Sequence, residues 1–257
     1  MGASIRLDIG TLFSFLLVLA RMAGAFTYIP LPGIKAGAEP ARVLLSVFMT
    51  FVLFASWPHV DASHVSFGLM LGWLLAEAGI GIAVGLVTAF LTEGFQMGTQ
   101  IISLQAGYTF ATTIDPTSGA DSSVLLTVAQ LTAGMLFFAT GFDRQILYVF
   151  AQSLTTHPVG QFAISQNMVN AVIQMGGSIF VTGLRLVLPL LGLLLMVELS
   201  LALLARLNSQ LHLMSLVFPI KMLLSLALLA WLVLIFPKVF SQSSGQVLQL
   251  IKGLLSS

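Results

Sequence analysis

The chain has 257 residues, of which 7% are charged and 58% hydrophobic, with a mean hydropathy of +1.03; an ordinary soluble domain is about 25% charged. Those values exclude a soluble globular fold. Nine acidic against ten basic residues leave a net charge of +1, and cysteine is absent, so no nucleic-acid footprint, disulfide or thiolate metal site is available.

At the N-terminus, Arg6, the apolar run from Leu12 to Ala20 and the triplet Ala23-Gly24-Ala25 imitate a signal peptide with its cleavage site. Asp8 within the basic region and Arg21 ahead of the site oppose that reading, and this segment is expected to belong to the mature fold. Crossing the hydrocarbon takes about 20 apolar residues. Runs approaching or exceeding that length extend from Thr11 to Leu31, Val43 to Trp57, Phe67 to Leu91, Val124 to Phe142, Val172 to Leu207 and Leu213 to Phe236. The second stops early at Trp57-Pro58, and the fifth is long enough that it must tilt, bend at Pro189 or leave the bilayer. Lengths this uneven argue against six plain crossings. If all six did cross, Arg6, Arg144, Lys238 and Lys252 would face Lys35, Arg42 and Arg206 across the membrane, a bias too small to set orientation.

Arg21, Glu77, Arg185, Glu198 and Lys221 lie inside these runs, where a charge facing lipid costs about 2.5 to 3.5 kcal/mol or more. Together with Arg206 they are candidate buried or intersubunit charges, with snorkelling near the interfaces as the alternative. Arg185 and Glu198 are separated by some 140° of helical rotation, so each needs a partner from elsewhere in the chain or from another subunit. Small residues recur at helical spacing: Gly68, Gly72 and Ala76; Gly81, Gly85 and Ala89; Gly94 and Gly98. These stripes let helix backbones approach, through a specific partner or through general close packing.

Between Phe95 and Ser123 the composition shifts. Gln96, Gln100 and Ser103 form a polar stripe on one helical face. A helix stop near Gly107 follows, then the turn-rich Asp115-Pro116-Thr117-Ser118-Gly119, with Asp121 or Ser122 suited to cap the next helix. A loop bearing Phe110, Thr109 and Thr112 fits a cavity or lumen better than bulk solvent, unless Phe110 tucks into its own core.

Catalytic signatures are missing: no H-E-x-x-H, G-x-S-x-G, phosphate-binding loop or dinucleotide fingerprint occurs. His59, His64, His157 and His212 include no pair at ligand-like helical spacing, and Asp115, Asp121 and Asp143 fall at turns or segment ends, as solvated or capping acids do. No catalytic residue, metal or cofactor is expected, and the chain does not read as an enzyme.

An ordered set of short motifs does stand out. Arg21-Met22-x-Gly24 is followed by Pro30, Pro32 and Pro40-Ala41-Arg42-Val43; then come Glu77, Gly79, Gly81 and Gly85; then Ser103-Leu104-Gln105-x-Gly107 with Phe110-Ala111 and Asp115-Pro116. Ser153, Pro158-Val159-Gly160, Pro189, Glu198 and the stretch from Arg206 to Phe218-Pro219-Ile220-Lys221 complete it. In this order they resemble the FliR family, export-gate membrane proteins of the flagellar type III secretion apparatus within the wider FliR/SctT/YscT group. The chain departs from the family at Ser209, His212 and Val217, where proline, asparagine and glycine are common.

The resemblance implies an all-α membrane protein of helical hairpins, with a FliP-like part over 1–171 and a FliQ-like hairpin over 172–257, packed in a hetero-oligomeric helical assembly. It implies FliP-like and FliQ-like partners and an FlhB-like one, and a channel exporting unfolded flagellar proteins during flagellar biosynthesis. Gly107, Phe110, Thr112, Asp115 and Pro116 would belong to a plug loop in that channel. The location implied is the bacterial inner membrane at the flagellar basal body, with much of the assembly raised toward the periplasm. The alternatives are an injectisome homologue or, from a different class, a small-solute secondary transporter motivated by broken helices and buried charges.

Overall fold

A computed structural model describes residues 9–31, 39–58, 60, 65–108, 124–156, 166–207 and 214–256. Among them every regular element is helical: α1 (Ile9–Tyr28), α2 (Glu39–Val52), a single 3-10 turn (Phe54–Ser56), α3 (Phe67–Ala106), α4 (Val124–Ala139), α5 (Phe142–Thr156), α6 (Gln166–Leu207) and α7 (Met214–Ser256). The chain is an all-α membrane protein. Among the described residues four helices are long and apolar enough to cross a membrane, or five spans if the bent pair α4 and α5 counts as one.

The six apolar runs of the sequence therefore do not become six crossings. Pro40–Val52 is too short to qualify. In contrast, α3 continues past Leu91 to Ala106, 40 residues in all, or about 60 Å of helix. Its polar stripe belongs to the helix, as its spacing implies, because side chains at i, i+4 and i+7 share one face and leave the backbone ladder intact, and the helix stops just before Gly107. Likewise α6 runs through Pro189, and α7 through Pro219 and Pro237. An internal proline forfeits a backbone hydrogen bond but does not oblige a helix to stop in apolar surroundings.

The structure divides into two compact units, one of Met1–Phe90, Phe137–Gly176 and Ser244–Ser257, the other of Leu91–Leu136 and Gly177–Ser243. In the first, α1 buries Leu17, Val18, Arg21, Met22 and Ala25 on one helical face, and α2 packs on α1. Proline at position 40 suits the first turn of α2, where a missing N–H leaves no bond unmade. This helix carries its polarity inward: Ser46 and Thr50 are buried, while Leu44, Phe48 and Phe51 are exposed. The inward hydroxyls are satisfied within the helix, by donation to the carbonyls of Arg42 (2.8 Å) and Ser46 (2.7 Å). Arg42 also ties α2 to the end of α1, its guanidinium donating to the carbonyls of Phe26 and Thr27, both at 2.6 Å. Those carbonyls lie at the helix terminus, where intrahelical donors run out. The second unit is held by Phe95 stacked on Phe236 (centroids 3.8 Å apart), with Phe240 edge-on to Phe236, and by Leu190, Leu194 and Leu232 beneath the surface.

Candidate functional site

The glycine stripe at Gly81 and Gly85 lies directly against α1. A Cβ on Gly81 would meet the Arg21 carbonyl oxygen, one on Gly85 would sit 2.5 Å from the Ala25 carbonyl oxygen, and one on Gly24 2.5 Å from the Ala78 carbonyl oxygen. Only glycine permits backbones this close. That approach brings together two charges 56 residues apart in sequence. The Arg21 Nε donates to Glu77 Oε2 at 2.6 Å, with the two side chains 2% and 0% exposed. Arg21 also donates to the Ser153 hydroxyl (2.8 Å), which in turn donates to the Phe150 carbonyl (2.8 Å). The cluster therefore joins α1, α3 and α5 inside one unit, with the charges paired and out of lipid.

A second cluster lies in the other unit. Glu198 Oε2 accepts from Lys221 Nζ at 3.0 Å and from Gln105 Nε2 at 3.1 Å. Lys221 is buried, its side chain 9% exposed, whereas the Glu198 side chain is 44% exposed, so this pair is open on its acidic side. Close to Gln105, α3 ends on Gly107 at φ 90°. The Gly107 N–H donates to the Leu104 carbonyl and the Tyr108 N–H to the Ser103 carbonyl, both at 3.1 Å, the paired bonds of a glycine-terminated helix. The Tyr108 hydroxyl then donates to the Met222 carbonyl (2.9 Å), pinning that end to α7. Here too glycines allow the approach: a Cβ on Gly183 would stand 2.6 Å from the Gly94 carbonyl oxygen, and one on Gly98 would strike Val187.

The other candidate residues are placed differently. Arg185 and Arg206 are exposed on α6. A Cβ on Gly68 or Gly72 would meet open space among the described residues. Phe110, Thr112, Asp115 and Pro116 lie outside the described residues, as do Asp121, Ser122 and all four histidines. Asp143, which its sequence position presents as a solvated or capping acid, sits in the first turn of α5 with Oδ1 withdrawn from solvent and unbonded. Spacing alone does not pick out Ser153, Gln105 or Arg42; their partners come from helices distant in sequence or from a helix end. Among the described residues no group of three histidines or carboxylates could hold a metal ion. Among the described residues the geometry of both clusters holds helices together.

Residues 12–247 match the family model of bacterial export proteins, family 1, a stretch that contains both polar clusters. The chain is similar to the flagellar biosynthetic protein FliR of Escherichia coli K12, 28% identical over 93% of this chain and 91% of the relative. It is also similar to FliR of Pectobacterium carotovorum, 28% identical over 86% and 85% of the two chains, and to the Yop proteins translocation protein T of Yersinia pestis, 24% identical over 82% of each. The chain belongs to the bacterial export proteins, family 1, a family of export-apparatus membrane proteins.

Proposed function

We propose that this chain is a subunit of the flagellar type III protein export gate in the bacterial inner membrane. In this reading it assembles with FliP-like and FliQ-like chains, adjoins an FlhB-like protein, and forms part of the channel through which unfolded flagellar subunits leave the cell. The observation that carries it is the likeness to relatives named flagellar biosynthetic proteins along almost the whole chain, stronger in identity and coverage than the likeness to the Yersinia translocation protein. Assembly is supported by what the helices turn outward. Along α6, Leu188, Leu193, Met196, Leu199 and Leu203 are exposed, and Arg185, also exposed, stands 13 residues inside the apolar stretch Val172–Leu207. A charge so placed favours a polar neighbour over lipid.

Deleting the gene in its host and restoring it on a plasmid tests the assignment. Loss of flagellin from the medium and of motility, both regained on complementation, is the expected result. Intact flagella together with lost secretion of injectisome substrates would move the chain to the injectisome. Neither defect would remove it from type III export altogether.

A further inference from the structure

The exposed face of α6 follows a seven-residue period. Arg185, Gly192, Leu199 and Arg206 are spaced seven apart, and Leu188, Leu195 and Ala202 fall three residues after the first three of them. All but the half-buried Gly192 are exposed, while Val187, Leu190 and Leu194, on the opposite side of the helix, are buried. Positions so spaced make the narrow seam along which two helices wind round each other. Gly192 is an independent sign: a Cβ there would meet open space among the described residues, so no neighbour within them requires a residue that weakens a helix interior. Arg185 and Arg206, at the two ends of the seam and about 32 Å apart, make no hydrogen bond or ion pair among the described residues.

We propose that this seam receives one apolar helix of another chain of the export apparatus, bearing two carboxylates three heptads apart that meet Arg185 and Arg206; this rests on the assembly read above. The partner's chemistry follows from the seam. Leu188, Leu195 and Leu199 pack against the side chains of such a helix, and Gly192 lets its backbone approach. The two cations call for carboxylates and fix the register, as isolated polar residues do in coiled coils. Lipid chains mould to any apolar surface and need neither a seven-residue period nor a glycine. A second copy of this chain does not qualify either. Among the described helices α3 alone holds two acids, Glu77 and Glu93, sixteen residues apart, and Glu77 is already paired with Arg21.

The test uses the full chain within its membrane complex, with a photoreactive benzophenone side chain in place of Leu195, in the middle of the seam. Illumination should yield an adduct to an apparatus chain, in a helix whose acids stand about 21 residues apart. Arg185→Glu should cut that adduct about tenfold, and arginine at the partner's facing carboxylate should restore it. Gly192→Leu, which blocks the approach of the partner's backbone, should cut it similarly. In the same chain expressed without the other apparatus chains, both substitutions should leave the protease half-life in membranes unchanged. An adduct to lipid or to a second copy of the chain, or a partner helix without the two acids, would overturn the proposal. So would an Arg185→Glu variant that keeps the full adduct, or either variant shortening the half-life of the lone chain. The two readings fail separately: a complex of normal composition, indifferent to Arg185→Glu and Gly192→Leu, defeats only the seam, whereas a charge-dependent adduct to a chain foreign to export defeats the assembly.

Discussion

Replacing Glu77 with alanine would leave the Arg21 guanidinium in the interior with, among the described residues, the Ser153 hydroxyl, 2.8 Å away, to receive its donors. Both side chains of the ion pair are almost wholly withdrawn from solvent, at 2% and 0% exposure, so water cannot stand in for the lost carboxylate. Removing one partner of a buried pair costs about 3 to 5 kcal/mol, and the Glu77 position belongs in the upper part of that range. Glu77→Gln keeps an oxygen to accept from Arg21 Nε but loses the charge, for about 1.5 to 3 kcal/mol. The double variant Arg21→Met with Glu77→Leu removes both charges at once and should cost less than Glu77→Ala alone, since apolar replacement of a whole buried pair is often neutral. A double-mutant cycle reads this as a coupling above about 2 kcal/mol. The midpoint of SDS-driven unfolding of the full chain in mixed micelles supplies each corner, provided that unfolding is reversible there. Losses that simply add would refute the pairing, and so would a Glu77→Ala variant as stable as the parent.

Gly81→Ala should cost about 1 to 3 kcal/mol as the new methyl meets the Arg21 carbonyl, whereas Gly72→Ala, with open space at its Cβ, should be neutral or gain up to about 1 kcal/mol of helix propensity; the same SDS titration separates them, and equal losses would contradict the crossing of α1 and α3. Glu198→Ala strands the buried Lys221, but with 44% of the glutamate side chain exposed the loss should be smaller than at Glu77, about 1 to 3 kcal/mol, with Glu198→Gln between it and the parent; complex yield after co-expression checks that order. Gly107→Ala places a side chain at φ 90° and should lower the same midpoint by about 1 to 2 kcal/mol, an effect that Gly245→Ala, whose Cβ meets open space, should not show.

Hydropathy makes the helical membrane fold legible, and the rarity of charge within apolar runs marks Arg21, Glu77, Arg185, Glu198 and Lys221 as residues in need of partners; four of them pair within the chain, whereas Arg185 is exposed on α6. What sequence does not carry is who meets whom. Gly68 with Gly72 and Gly81 with Gly85 have identical spacing, yet only the second pair lies against a neighbouring backbone, because periodicity fixes a face and not what covers it. Arg21 and Glu77 sit on different helices, and Ser153 on a third; no local pattern encodes such a triple. The apolar run to Leu91 marks only part of α3, since hydropathy stops where polarity begins, whereas the helical spacing of Gln96, Gln100 and Ser103 and the stop near Gly107 locate its end at Ala106. Asp143 marks the limit of such reading. Its place at a segment end suggests solvent, but packing of Phe26, Met49 and Phe150 around a cleft takes Oδ1 out of water.

The most direct measurement of the export-gate assignment is affinity purification of the tagged full chain from its host's membranes, with the co-eluting proteins identified and the intact mass determined. Co-elution with FliP-like and FliQ-like chains in one large particle, and a several-fold shorter protease half-life when the chain is expressed without them, is the predicted result. A lone monomer or dimer, equally long-lived with and without those chains, would contradict it.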